Sequence, residues 1–99
     1  MQGAPGYVDE VVVDTMHFRG NFPQAVEVYA VEERAAHEVA ANDERWELVV
    51  PRSPCQKDTE HRFEGSLLKG QGKVVTHVKL VMIPDGGIKR LRVFGRRAV

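Results

Sequence analysis

Short runs of alternating apolar and polar residues, separated by clusters of glycine, proline and asparagine, cover most of the chain. A period of two marks a strand with one buried face. From Val8 to Thr15, Val11 and Val13 alternate with Glu10, Val12 and Asp14, and this β-branched run predicts a strand buried on one or both faces. Gly20-Asn21-Phe22-Pro23 reads as a turn, because glycine and asparagine tolerate positive φ and proline keeps Phe22 extended. A second strand places Val26, Val28 and Ala30 on one face and Glu27 and Tyr29 on the other. Glu32 to Ala41 is rich in helix formers, yet only Ala35 and Val39 sit at helical spacing, so a loop with one or two helical turns is expected. Trp46, Leu48 and Val50 define one face of a third strand. Pro51 is expected to end it, since proline cannot donate to a central ladder, and Pro51 to Glu60 then reads as a surface loop.

Alternation resumes weakly over Arg62 to Leu68 before a Gly70-Gln71-Gly72 turn. Beyond it, Val74, Thr76, Val78, Leu80 and Met82 share one face, with Val75, His77, Lys79, Val81 and Ile83 on the other. Pro84-Asp85-Gly86-Gly87 has the chemistry of a hairpin turn. The return strand, Ile88 to Phe94, puts Leu91 and Val93 on one face and Arg90 and Arg92 on the other. Strands at short, regular spacing with almost no helix predict an all-β jelly-roll β-sandwich.

At 99 residues the chain forms one domain around one core. Lysine and arginine together number 14, as do aspartate and glutamate, so no net field marks a binder of nucleic acid or of an acidic membrane. Lys89, Arg90, Arg92, Arg96 and Arg97 cluster locally, which reads as a solvated strand face or, alternatively, as a phosphate site. Cys55 is the sole cysteine. It has no disulfide partner and no Cys-x-x-Cys neighbour, which points to a reducing compartment, cytoplasmic or an organelle lumen. The first residues carry no signal pattern, and the apolar stretches fall short of the ~20 residues of a membrane span, so a soluble protein is expected.

Three ordered blocks carry a family resemblance. They are Val13-Asp14-Thr15-Met16-His17-Phe18-Arg19-Gly20-Asn21-Phe22-Pro23; then Trp46 with Pro51-Arg52-Ser53-Pro54; then Thr76-His77-Val78-Lys79-Leu80 leading to Pro84-Asp85-Gly86-Gly87 and Arg90-Leu91-Arg92-Val93-Phe94-Gly95. Together they resemble the allantoicase family over nearly the whole chain. The resemblance implies a hydrolase that converts allantoate to ureidoglycolate and urea in allantoin degradation, built from two related jelly-roll repeats. By this likeness residues 1–99 are a single repeat lacking its N-terminal strands. Such a sandwich would leave sheet edges and apolar faces to be covered by a homo-oligomer or by a second allantoicase repeat. Met16 stands where the family commonly has a small residue, and Val81-Met82-Ile83 replaces a more polar lead into the Pro-Asp-Gly-Gly turn.

Allantoate carries a carboxylate and two ureido groups on one carbon. Its site must grip an anion, meet planar ureas with hydrogen bonds, and protonate a departing nitrogen. His17 is the expected proton donor, because imidazole titrates near neutrality, and Asp14 is expected to orient it or the substrate. Arg90 or Arg52 suits the carboxylate, and Asn21 and His77 are further substrate-binding candidates. Each residue also has a plain structural reading: Asp14-Thr15 can cap the following turn by an Asx-type bond, His77 can be a hydrogen-bonded strand histidine, and Asp85, Gly86 and Gly87 can serve turn geometry alone. His17, His61, His77 and Asp14 could together hold a divalent metal such as zinc or manganese, although no His-x-His or Glu-x-x-His spacing supports it. Cys55 has no activating neighbour for a nucleophile's role. The competing reading is a noncatalytic jelly-roll repeat that binds a small polar ligand.

Overall fold

The computed structural model describes residues 2–98 apart from 19, 36 and 37, with the backbone alone for 2–4. The strands are β1 (Gln2–Asp14), β2 (Ala25–Val31), β3 (Glu47–Pro54), β4 (Glu60–Glu64), β5 (Val75–Ile83) and β6 (Arg90–Arg97), with one 3-10 turn at Gly65–Leu67. All neighbours are antiparallel. β2 lies between β3 and β5, and β5 pairs in turn with the first residues of β1, Gln2 opposite His77 and Gly6 opposite Val75. Further along, β1 exchanges partners: Glu10 to Asp14 pair with β4 on one edge, and Gly6 to Asp14 pair with β6 on the other. A register shift between Val8 and Glu10 marks this change, and bulges of this kind bend and twist a strand. One sheet therefore curls into two halves, β3-β2-β5 and β4-β1-β6, joined through β1. The result is the expected all-β sandwich.

The halves close on a single core. Val11 and Val13 from β1 meet Val26, Val28 and Ala30 from β2, Val49 and Val50 from β3, and Val78 from β5, with Phe63, Leu91 and Val93 packed at its margin. Burying a side chain of this size is worth about 1.5–3 kcal/mol, so this valine cluster is the main apolar contribution. The expected faces of β1 and β2 are observed, and β1 extends further toward the N-terminus than its sequence pattern predicts.

Expectations for β3, for the C-terminal hairpin and for the 32–41 segment need correction. β3 continues through Pro51 to Pro54. It pairs only with β2 among the described strands, and an edge strand tolerates proline because its outward N–H has no partner to lose. Leu48 and Val50 were expected on one face, but a bulge at Val49 sets Val50 opposite Val28 and Leu48 opposite Tyr29, so the two face opposite ways. The second correction concerns the C-terminal hairpin. β5 pairs with β2 and β1, and β6 with β1, so Pro84-Asp85-Gly86-Gly87 carries the chain from one half of the sandwich to the other. Its glycines serve that crossing. A Cβ on Gly86 would press into the Phe22-Pro23 peptide, and one on Gly87 would overlap the Phe18 ring. No helical turns occur among the described residues of 32–41, and positions 36 and 37 lie outside them.

Candidate functional site

β1 ends in its own side-chain chemistry. Asp14 Oδ1 accepts the Met16 N–H at 2.8 Å, the Asx-type bond by which aspartate turns a chain. Thr15, fully buried, then joins two distant turns. Its N–H donates to Thr59 O at 2.8 Å, its hydroxyl donates to Gln56 O at 2.7 Å, and it accepts the Thr59 N–H at 3.0 Å. Next along the chain, the His17 N–H donates to Asp58 Oδ1 at 2.8 Å, and the Asp58 N–H returns to Phe18 O at 3.1 Å. His17 (φ 73°) and Asp58 (φ 52°) both adopt left-handed backbone, a conformation costing roughly 1–2 kcal/mol for a residue with a Cβ. The interlocked turns 15–18 and 56–59 sustain that strain, and strained non-glycine residues cluster at functional sites.

Beside this clasp lies the outward face of the β4-β1-β6 half. The register aligns Glu64, Arg62 and Glu60 with Glu10, Val12 and Asp14, and these with Phe94, Arg92 and Arg90. Val12 is 0% exposed although it points away from the core, and its cross-strand partners are Arg62 and Arg92. Arg62 binds Glu10 at 3.0 Å and its guanidinium is pushed further up, first by that hydrogen bond. Arg92 binds Glu60 at 2.6 Å. Arg90 Nε stands 3.7 Å from Oδ2 of Asp14, whose side chain is only 3% exposed. Where the face meets the clasp, a cavity of about 550 Å³ is lined by Asp14, Asp58, Glu60, Lys89, Arg90 and Arg92, among others.

The expected site residues distribute unevenly. Asp14 and Arg90 meet in the cavity wall. His17 is exposed, and its backbone is tied to Asp58 on the rim. Asn21 docks the crossing segment, its carbonyl accepting the Gly87 N–H at 2.7 Å, while two residues on the Lys89 N–H reaches Asp14 O at 2.6 Å. Arg52 sits on the other half of the sandwich, 4.0 Å from Glu27. His77 is buried on β5, with Nδ1 2.7 Å from the Thr76 hydroxyl. His61 is saturated: Nε2 accepts the Gln56 N–H at 2.8 Å, so Nδ1 carries the proton and donates to Val13 O at 3.0 Å. No three His, Cys, Asp or Glu side chains converge as metal ligands among the described residues. Burial pushes the half-buried Cys55 thiol up, away from thiolate chemistry.

Glu60 and Asp58 line the cavity without having been singled out as site residues, and Arg92 was noted only within the local basic cluster. Arg92 shares a period-two face with Arg90, which is a legible signal. Asp58 carries none, because only the folded chain sets turn 56–59 against turn 15–18.

The Allantoicase repeat family model matches residues 1–98. An allantoicase of Neurospora crassa is 53% identical over 98% of this chain and 27% of its own length. A probable allantoicase of Schizosaccharomyces pombe is 38% identical over 97% of this chain and 27% of its own. The crystal structure of allantoicase from Saccharomyces cerevisiae superposes with a TM-score of 0.73 at 38% identity, covering 94% of this chain and 24% of that one. The chain thus spans about a quarter of the length of the relatives it matches.

Proposed function

The chain belongs to the allantoicase family, and from that premise we propose that its cavity forms part of a site that hydrolyses allantoate to ureidoglycolate and urea. The observation that carries the reading is the meeting of Asp14 and Arg90 in one wall, beside the strained turn of His17. Arg90 takes the substrate carboxylate in its planar fork. Asp14, with one oxygen held by the Met16 N–H, offers its remaining lone pairs to a ureido N–H. The bond from the central carbon to one ureido nitrogen breaks, and that nitrogen accepts a proton from the His17 imidazolium and leaves as urea. A water oxygen then passes one proton to the His17 ring so left neutral and bonds the same carbon, which completes ureidoglycolate and restores His17. Asn21, whose carbonyl holds Gly87 of the segment leading to Lys89, takes the second ureido group. A second repeat or a second copy of the chain supplies the remaining contacts. The half-buried free thiol of Cys55 accords with cytoplasmic placement, and no helix among the described residues is long and apolar enough to cross a membrane.

A noncatalytic ligand-binding repeat is the second reading, favoured by the local satisfaction of Asp14 Oδ1 and of both His61 nitrogens. Urea release from allantoate, assayed with and without manganese while light scattering reports the oligomeric mass, separates the two. Release above the uncatalysed rate supports the hydrolase, and a folded chain that releases none supports the binding repeat. In an active assembly His17→Ala is expected to lower turnover about 10²-fold; a change within about threefold removes His17 from the mechanism.

A further inference from the structure

The β4-β1-β6 face contains an arginine whose partners do not account for its donors. Arg92 gives one terminal N–H to Glu60 at 2.6 Å, while its Nε is buried with no hydrogen-bond partner among the described residues. A buried donor left unmet costs about 1–3 kcal/mol, more when charged, so such a group calls for a reason. Its single carboxylate partner is weakly held in turn. The Arg92 and Glu60 side chains are 34% and 39% exposed, and exposed pairs of this kind contribute about 1 kcal/mol at most. Glu60 also leans toward Arg62 at 3.8 Å, but Arg62 already has Glu10 at 3.0 Å. Glu60 can therefore leave Arg92 without stripping Arg62 of its partner. Arg90 stands beside it on the same strand face, with its one carboxylate at 3.7 Å, so two planar forks line the same cavity with donors to spare.

We propose that Arg92, next to Arg90, is a substrate-recognition residue for a small ureido carboxylate, and that Glu60 is its internal stand-in, occupying the guanidinium until the ligand carboxylate displaces it. The proposal rests on the reading of this cavity as the allantoate site and adds to it a residue pair and an exchange. Because Glu60 and the ligand compete for one fork, a negative charge on this wall sets the affinity threshold. Weak anions lacking ureido groups do not repay the loss of Glu60, whereas a carboxylate whose ureido N–H groups also reach Asp14 does.

The test uses N-carbamoylglycine, which carries one carboxylate and one ureido group and has no second ureido group to expel, so binding is read without turnover. Titration calorimetry on the whole chain, with the Arg92 Nε–H followed by NMR, is expected to show binding and a displaced Nε–H signal. Glu60→Gln should tighten binding by up to about fivefold, the ceiling set by an exposed pair. Arg92→Lys, which keeps the charge and loses the fork, should weaken it about tenfold. Uncharged urea should bind Glu60→Gln and the parent chain alike. No binding to the parent chain, a Glu60→Gln variant that binds equally or more weakly, or an Arg92→Lys variant that binds equally well would each overturn the proposal. Circular dichroism of both variants keeps a misfolded protein from counting as a loss of binding. An assembly of the chain with its second repeat or copy that binds N-carbamoylglycine as described yet releases no urea from allantoate refutes the hydrolase reading and leaves the exchange standing. Turnover with an indifferent Glu60→Gln refutes the exchange alone.

Discussion

The two halves of the sandwich bury one shared core but treat their outer faces differently. On β3-β2-β5, Lys79 lies over the rings of Tyr29 at 4.8 Å and Trp46 at 5.0 Å, and it donates to Ala41 O at 2.8 Å. The Trp46 indole N–H donates to Ala40 O at 2.8 Å. These contacts tie the 38–46 loop down over the sheet. On β4-β1-β6 no loop is tied down in that way among the described residues; the face carries Arg62, Arg92 and Arg90 against Glu10, Glu60 and Asp14, with a cavity at one end and, among those residues, no partner for the buried Arg92 Nε. Where its own connection lies over it, the first face meets Lys79 and Trp46 internally, whereas the second presents Arg90 and Arg92 to a cavity.

Substitutions can break that contrast in a graded order. Gly95 lies against Tyr7 and Val8 where β6 meets β1, and a Cβ there would overlap the Tyr7 carbonyl oxygen. Gly95→Ala is expected to cost about 3 kcal/mol, with hydrogen-exchange protection lost first in β1 and β6 and later in β2 and β3. Uniform loss across both halves would show that the sandwich unfolds as one unit. Thr15→Val keeps the shape and removes the hydroxyl that serves Gln56 and Thr59. About 2 kcal/mol should follow, or roughly 10 °C in Tm for a chain of this size, and a Tm within 2–3 °C of the parent would remove the clasp as a stabilising element.

Lys79→Met tests the closed half. It should cost about 1 kcal/mol, raise exchange at the 38–46 amides, and leave N-carbamoylglycine binding as it was; altered binding would mean that the halves communicate. Acid gives the smallest effect. Arg45 holds the carboxyl of Glu33 below its ordinary 4.5 and that of Asp43 below its ordinary 3.8, chiefly through direct hydrogen bonds and then through the Ala35 and Arg45 N–H groups. For carboxyls lowered by folding, the stabilisation is present above the unfolded value and disappears as pH falls through the folded one. Trp46 fluorescence should therefore stay constant down to about pH 4.5 and change below it, while Arg92→Lys should not move that transition.

Much of this arrangement is legible along the chain. The alternation of β1, β2 and β6 places the core valines and aligns Arg90 with Arg92, because a pleated strand forces side chains to opposite faces at every step. The Asp14 turn is legible as well, since its bond to Met16 spans two residues and needs no other part of the chain. The hairpin expected at Pro84-Asp85-Gly86-Gly87 shows where such reasoning stops. Its local chemistry suits a tight return, yet the glycines face Phe18, Phe22 and Pro23, more than sixty residues away in sequence. The slip of Leu48 from the face of Val50 has the same origin, because a bulge is defined against the partner strand.

The sequence by itself therefore determined the all-β class, the burial of the valine runs, the family likeness and the pairing of chemical types that the cavity uses, all of which follow from periodicity and short-range bonding. Tertiary structure alone decided that β1 changes partners midway, that turn 56–59 locks turn 15–18 and holds His17 in left-handed backbone, and that Arg90 with Arg92, and not Arg52, stand beside Asp14. The physical reason is range: a side chain's face is set by its own strand, but its neighbours are set by which distant strand the curled sheet brings alongside.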